Sequence, residues 1–234
     1  MRLQVYLSRN GVCSRRAALR IVQEGRVAVN GRIVREPSTD IQPGKDRIAF
    51  AGKEIISQSY TYILLNKPRG FITTKKDRFA EKTVLDLLPA GYQHLSPAGR
   101  LDKDTEGLLV LTNDGDTAFK LTHPKFNVKK VYEVRIRGRL EEKEKVSLEK
   151  GVWLDGEKTA PAEIKHIRPR KNETEFAMTI HEGRKRQIRR MLAGVGRHVV
   201  SLKRLSQGPL VLGDLKIGRW RELSREEIER VKKI

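Results

Sequence analysis

The sequence predicts an α+β protein in two parts: a small αα-β-hairpin domain at 1–57, then a mixed, largely antiparallel sheet with flanking helices at 62–234. Three observations carry this. Two short apolar-periodic stretches, each closed by a glycine, precede an alternating run about an Asn-Gly pair. The four residues Gln58-Ser59-Tyr60-Thr61 form a polar linker between apolar segments. Beyond them, alternating and helical patterns follow one another at separations too short for the crossover helices of a parallel sheet.

Leu3, Val5, Leu7 and Val12 flank a first short helix that Gly11 ends. Ser14 is placed to cap a second, which runs through Ala17, Ala18, Leu19, Ile21 and Val22 and stops at Gly25. Arg26 to Val34 alternates about Asn30-Gly31, the strongest short hairpin signal, and Gly44 to Phe50 adds a turn and another strand. In the second part strands are expected at Tyr62 to Asn66, Leu108 to Thr112, Val131 to Arg137 and Glu175 to His181. Helices are expected at Thr83 to Leu88, Thr117 to Leu121, Glu141 to Lys150, Arg184 to Leu192 and Arg225 to Lys233.

Charge narrows the function. The 234 residues hold 49 Lys+Arg against 29 Asp+Glu, a formal net charge of +20, yet 38% are hydrophobic, enough for a folded core. A surface this positive repels itself unless a polyanion neutralises it, and nucleic acid is the first such partner. No apolar run approaches the roughly 18 to 20 residues that span a bilayer, so no membrane partner is expected. The start, MRLQVYLSRNG, lacks the apolar centre of a secretion signal, and the single Cys13 makes no internal disulfide. These features point to the cytoplasm. His181 and His198 stand without partners at ligand spacing, so no metal is expected.

In the second helix Arg15, Arg16 and Arg20 lie beside one another, able to bridge phosphates. A helix pair beginning Ser-Arg-Arg, followed by EGRVAVNGRIV, resembles the small RNA-binding module shared by a small-subunit ribosomal protein and many RNA-modifying enzymes. The resemblance covers about a quarter of the chain and implies structured RNA as ligand.

The densest chemical candidate is Gly99 to Gly115, where Asp102, Asp104 and Glu106 alternate just before an apolar strand. Such a run begins like a calcium loop, but its twelfth position is Asn113 where a bidentate glutamate is needed. The phrase GRLDKDTEGLL closely resembles the catalytic loop of the pseudouridine synthases. Asn66-Lys67-Pro68-Arg69-Gly70 resembles that family's first motif, and Lys129 to Val134 and Glu182 to Met191 follow in the family's order. The whole chain resembles the branch that modifies ribosomal RNA, with phrases such as TNDGDTAFKLTHPKF leaning toward the large-subunit members. The resemblance implies the pseudouridine synthase fold and a partner in ribosomal RNA or a pre-ribosomal particle, met by a monomer.

Isomerising a uridine in place breaks its bond to ribose at nitrogen and remakes it at carbon 5, which calls for no redox cofactor or metal. It needs an ionised carboxylate, a surface for a flipped base, and a cation that keeps the carboxylate charged once water is excluded. By resemblance the carboxylate is Asp102, attacking either uracil carbon 6 or ribose carbon 1, and its cationic partner is Arg189. Tyr132 shares a strand face with Val134 and Ile136, so its ring can lie over uracil, and the resemblance implies that its phenol accepts or shuttles the proton of carbon 5; taken alone, a strand tyrosine reads more readily as core. Arg100 either contacts phosphate or fills the gap of the flipped base, or else pairs with Asp104 or Glu106. His181 to Arg204 holds eight Lys+Arg against one Glu. Arg184, Lys185 and Arg186 are expected to contact RNA from a helix there, and Lys67 from the first motif. The other class of reading is a non-catalytic RNA-binding or ribosome-assembly factor on the same fold.

Overall fold

A computed structural model of the chain describes residues 1–75 and 82–234. The chain divides into two compact units, one of residues 1–61 with 89–95 and 113–115, the other of the remainder. The α+β expectation holds in both.

In the first unit, helices α1 (Leu3–Arg9) and α2 (Arg15–Gln23) precede strands β1 (Val27–Val29), β2 (Arg32–Val34), β3 (Ile48–Phe50) and β4 (Lys53–Glu54), ordered β2-β1-β3-β4. Ser14 caps α2, its hydroxyl accepting from the Ala17 N–H at 3.2 Å. Asn30 and Gly31 both have positive φ, 50° and 80°, the left-handed pair that a two-residue hairpin requires. Leu3, Leu7, Ala18, Val22, Val27 and Ile48 make the core, while Leu19 of α2 is exposed. The 58–61 segment packs within this unit: the Gln58 N–H donates to Asn10 at 2.7 Å and the Thr61 N–H to Asn113 at 2.8 Å.

The second unit is built on a mixed sheet of nine strands among the described residues. They are β5 (Tyr62–Lys67), β6 (Ser96–Pro97), β7 (Glu106–Thr112), β8 (Lys130–Arg137), β11 (Glu163–Pro169), β12 (Glu173–Ile180), β13 (Val199–Gln207), β14 (Leu210–Val211) and β15 (Trp220–Glu222); a separate hairpin pairs β9 (Trp153–Leu154) with β10 (Glu157–Lys158). The main path runs β11-β12-β8-β13-β7-β5-β15. Its pairings are antiparallel except that of β13 with β7. Helices α3 (Gly115–Thr122), α4 (Glu142–Lys150), α5 (Gln187–Gly194) and α6 (Arg225–Lys232) complete the unit.

Three differences from the sequence expectations bear on the site. Thr83 to Leu88 forms a single 3₁₀ turn, Val84–Leu87. Strand β13 is absent from the expected strands because it carries LKR and so lacks a clean apolar alternation; its register against β8 and β7 makes it the centre of the sheet. Helix α5 starts at Gln187, three residues later than expected, because Arg186 is left-handed at φ 50°. The Gln187 side chain ties down the preceding loop, accepting from the Arg184 N–H at 3.0 Å and donating to Glu182 at 2.7 Å. Lys185 and Arg186 therefore stand on a loop, not on a helical face.

Candidate active site

Loop 101–105 enters β7, and every one of its backbone carbonyls has a donor. The Leu101 carbonyl accepts from the Thr73 hydroxyl at 2.8 Å, and that of Lys103 from the Gly70 N–H at 2.8 Å. Lys67 Nζ donates to the carbonyls of Asp102 and Thr105 at 3.0 and 2.9 Å, and the Thr105 N–H also turns back to Asp102 at 3.0 Å. Arg189 donates to the Asp104 carbonyl at 2.9 Å. A loop satisfied at five successive carbonyls holds its side chains in fixed directions, which is what a preorganised catalytic group requires.

Lys67 thus corrects an expectation. In place of an RNA contact, it is 0% exposed and works from behind the loop. Burial pulls its ammonium down to about 8, against the raising influence of Asp102, Asp104 and Glu106. Gly107, just after the loop, has φ 105°, and a Cβ there would lie 2.3 Å from the Arg204 carbonyl oxygen. The glycine in TEGLL is what lets β13 run this close to β7.

The loop forms one wall of a cleft of about 800 Å³ that also takes in Arg100, Lys130, Tyr132, Arg184, Lys185, Arg186, Arg204 and Gln207. Among the described residues, seven lysines and arginines line it and Asp102 is the single lining acid. The Asp102 carboxylate makes no hydrogen bond or ion pair among the described residues, whereas its neighbours are spoken for. Arg186 grips Asp104 with two bonds of 3.0 Å, Arg189 Nε lies 3.2 Å from the same carboxylate, and Arg69 pairs with Glu106 at 2.9 Å. Burial raises the Asp104 carboxyl, but the hydrogen bonds of Arg186 and the charges of Arg189 and Arg186 outweigh it and hold it below its ordinary value. With Asp104 and Glu106 so engaged, the calcium-loop likeness has no ligand set behind it.

Arg189, expected to pair with Asp102 directly, gives its ion pair to Asp104 instead. It does not line the cleft; it faces the back of the loop and touches Asp102 only through its longer-range charge. Arg100 is exposed at the cleft, and the acids that were its alternative partners belong to other arginines. Arg184 lines the cleft but is drawn toward Glu182 and Glu157, at 3.3 and 3.4 Å. Tyr132, 8% exposed, shares the covered face of β8 with Lys130, Val134 and Ile136. Arg15, Arg16 and Arg20 are exposed along α2 of the first unit, Arg20 within 3.5 Å of Glu24.

Sequence reasoning missed three residues of the cleft floor. Arg204, one of the eight Lys+Arg counted over 181–204, is 2% exposed; Lys130 and Gln207 are buried as well. Burial, followed by the charge of Arg204, lowers the Lys130 ammonium to about 8 against the opposing Glu182. For Lys130 the signal was the alternation of β8; Arg204 and Gln207 lie on either side of a register shift in β13, which strand alternation does not reveal.

A mixed sheet with one unengaged carboxylate in a basic cleft defines an enzyme that handles a polyanion. The chain belongs to the RNA pseudouridylate synthase family, whose model matches residues 61–194, and it carries an S4 domain over 1–48. It is 40% identical over 233 residues to a ribosomal large subunit pseudouridine synthase B of Bacillus subtilis, covering 99% of this chain and 95% of that protein. It is 38% identical over 229 residues to an uncharacterized RNA pseudouridine synthase of Aquifex aeolicus, covering 97% and 92%. A pseudouridylate synthase crystal structure superposes with a TM-score of 0.71 at 32% identity, over 99% of both chains. RNA pseudouridine synthesis is therefore this protein's activity and RNA its substrate. Among the described residues no helix is long and apolar enough to cross a membrane.

Proposed function

We propose that this enzyme converts a uridine of large-subunit ribosomal RNA to pseudouridine in the second unit's cleft, with Asp102 as the attacking carboxylate. The observation that carries the assignment is the isolation of Asp102: among the described residues it is the one acid lining a cleft with seven cations, and its carboxylate is unengaged while Asp104 and Glu106 are held. The Bacillus subtilis relative, named for the large ribosomal subunit and matched over nearly its whole length, supports the choice of RNA.

The target base leaves its stack and enters the cleft, where Tyr132 offers an aromatic face. Asp102 attacks as a nucleophile, and the bond between uracil N1 and ribose C1′ breaks. The detached base turns within the cleft, C5 bonds to C1′, and the bond that Asp102 formed breaks and returns its carboxylate. The hydrogen on C5 is lost to solvent and N1 takes up a proton, so atoms balance with no external oxidant or reductant. Arg100, Lys185 and Arg186 hold the flanking phosphates, and Arg15, Arg16 and Arg20 of the 1–57 module hold a more distant part of the RNA. Arg189 acts through the loop, as a positioning residue.

Tritium release from large-subunit ribosomal RNA transcripts labelled at uridine C5 tests the reading, followed by mapping of the modified position. Wild-type protein is expected to release label and Asp102→Asn to lose at least about 10³-fold in turnover while still binding the transcript. Absence of release from any ribosomal transcript sinks the substrate, and near-normal turnover by Asp102→Asn sinks the role of Asp102.

A further inference from the structure

We propose that Arg204 and Gln207 read the polar edge of the target base, Arg204 donating to a ring carbonyl and Gln207 accepting from N3–H, and so select uracil over cytosine. The proposal rests on the cleft being the place of isomerisation.

Residues three apart on a regular strand face opposite sides. Here the register between β13 and β8 shifts between Arg204 and Ser206, and this bulge turns Gln207 to the covered face that Arg204 already occupies. Across the strands Arg204 stands opposite Tyr132 and Gln207 opposite Lys130, and all four line the cleft. A base lying over Tyr132 would thus present an edge to Arg204 and Gln207.

Both side chains are anchored at one end and unpaired at the other. Arg204 Nε donates to the Leu108 carbonyl at 2.7 Å, while its Nη2 is buried with no hydrogen-bond partner among the described residues. Gln207 Nε2 donates to the Leu121 carbonyl at 3.0 Å; this fixes the amide's orientation and leaves Oε1, also buried and without a partner there, as an acceptor. The two residues are 2% and 1% exposed, and Arg204 has no carboxylate partner among the described residues. An orphaned donor and an orphaned acceptor in the lining of one cleft are unfavourable in the free protein and are satisfied by a ligand of the complementary pattern.

Uracil has that pattern: a carbonyl oxygen beside N3–H. Cytosine breaks it, leaving a bare N3 where Gln207 accepts and an amino group in place of the 4-carbonyl. The isomerisation preserves the match. Exchanging N1 for C5 turns the ring about its N3–C6 axis, which swaps the 2- and 4-carbonyls and leaves N3–H in place. Arg204 meets a carbonyl, and Gln207 the same N–H, before and after the turn.

The test uses an RNA oligonucleotide spanning the mapped position, carrying either uridine or N3-methyluridine there. Wild-type protein is expected to lose at least about 30-fold in kcat/KM on methylation, and Gln207→Ala, which removes the acceptor and makes room, to shrink that penalty at least fivefold. Wild-type turnover of the two oligonucleotides within threefold, or a penalty that shrinks less than fivefold in Gln207→Ala, overturns the proposal. Should Gln207→Ala show no cooperative melting, Arg204→Lys is read in its place, because a single ammonium cannot serve both Leu108 and the base. A tenfold loss in kcat/KM on uridine supports the proposal there, and wild-type activity overturns it. Failure of the wild-type protein on the uridine oligonucleotide itself would count against the large-subunit assignment, and so is told apart from failure of base reading.

Discussion

Arg189 holds Asp104 twice, its Nη2 donating to the backbone carbonyl at 2.9 Å and its Nε lying 3.2 Å from the carboxylate, and it leaves Asp102 free. The Nε approach is close enough for an ion pair but too poorly aligned for a hydrogen bond, so the firmer grip is on the backbone. Arginine here sets the loop's position and contributes charge at a distance. Arg189→Lys keeps the charge and loses the fork. We expect kcat to fall by about 10- to 100-fold with KM for RNA little changed, measured by single-turnover and steady-state tritium release. A change confined to KM would place Arg189 at the RNA instead.

Gly107 gives a stability prediction. A methyl group there would meet the Arg204 backbone, 2.3 Å from its oxygen and 2.6 Å from its nitrogen, at a φ of 105° that side chains rarely adopt. Gly107→Ala should destabilise the second unit by about 3 kcal/mol or more, as read by denaturant melts. Because β7 follows directly on loop 101–105 and its proposed nucleophile Asp102, the folded variant should also turn over poorly. Gly31→Ala is the control, since nothing lies within 4 Å of a Cβ there. Its φ of 80° still adds local strain, so a smaller loss is expected.

Lys130 predicts a pH dependence. Burial lowers its folded-state value to about 8 from 10.5. Between those values the unfolded chain keeps the proton that the folded one has released, so stability contributed by this residue rises as pH rises through the window. Below pH 8 both states are protonated and the buried charge costs its full penalty, at most about 3 kcal/mol. In Lys130→Met that contribution is gone. The difference in unfolding free energy, wild type minus variant, should grow in favour of wild type from about pH 8 to 10. A flat difference would show that the ammonium is not shielded from water.

The three arginines of α2 should act on affinity alone. Arg15→Ala, Arg16→Ala and Arg20→Ala are each expected to weaken binding of the ribosomal transcript. The slope of log affinity against log salt should fall by about 0.7 to 0.9 for every phosphate left without its arginine. Turnover at saturating RNA should hold. Arg20 is expected to give the smallest effect, since its guanidinium already lies near Glu24 at 3.5 Å. A fall in saturated turnover would mean that this helix helps to form the reacting complex.

Local signals carried most of the fold. Ser14 as a cap, Asn30-Gly31 as a hairpin turn and the alternation of Val131 to Arg137 concern neighbours in the chain, and each appears as expected because capping, turn geometry and strand period are set within a few residues. The ordered motifs around Lys67, Asp102, Tyr132 and Gln187 likewise identified the family from sequence alone. Which partner each charged residue takes was decided only in three dimensions. Lys67 went inside, Arg189 went to Asp104, and Arg204 went to the cleft floor, because sheet order places β13 between β8 and β7. The net charge of +20 announced a polyanion, but the packing of strands far apart in sequence sorts those cations into ones that face solvent and ones that hold or line the site. A buried charge is stable only where a partner or a ligand meets it, and that pairing is a property of the assembled sheet.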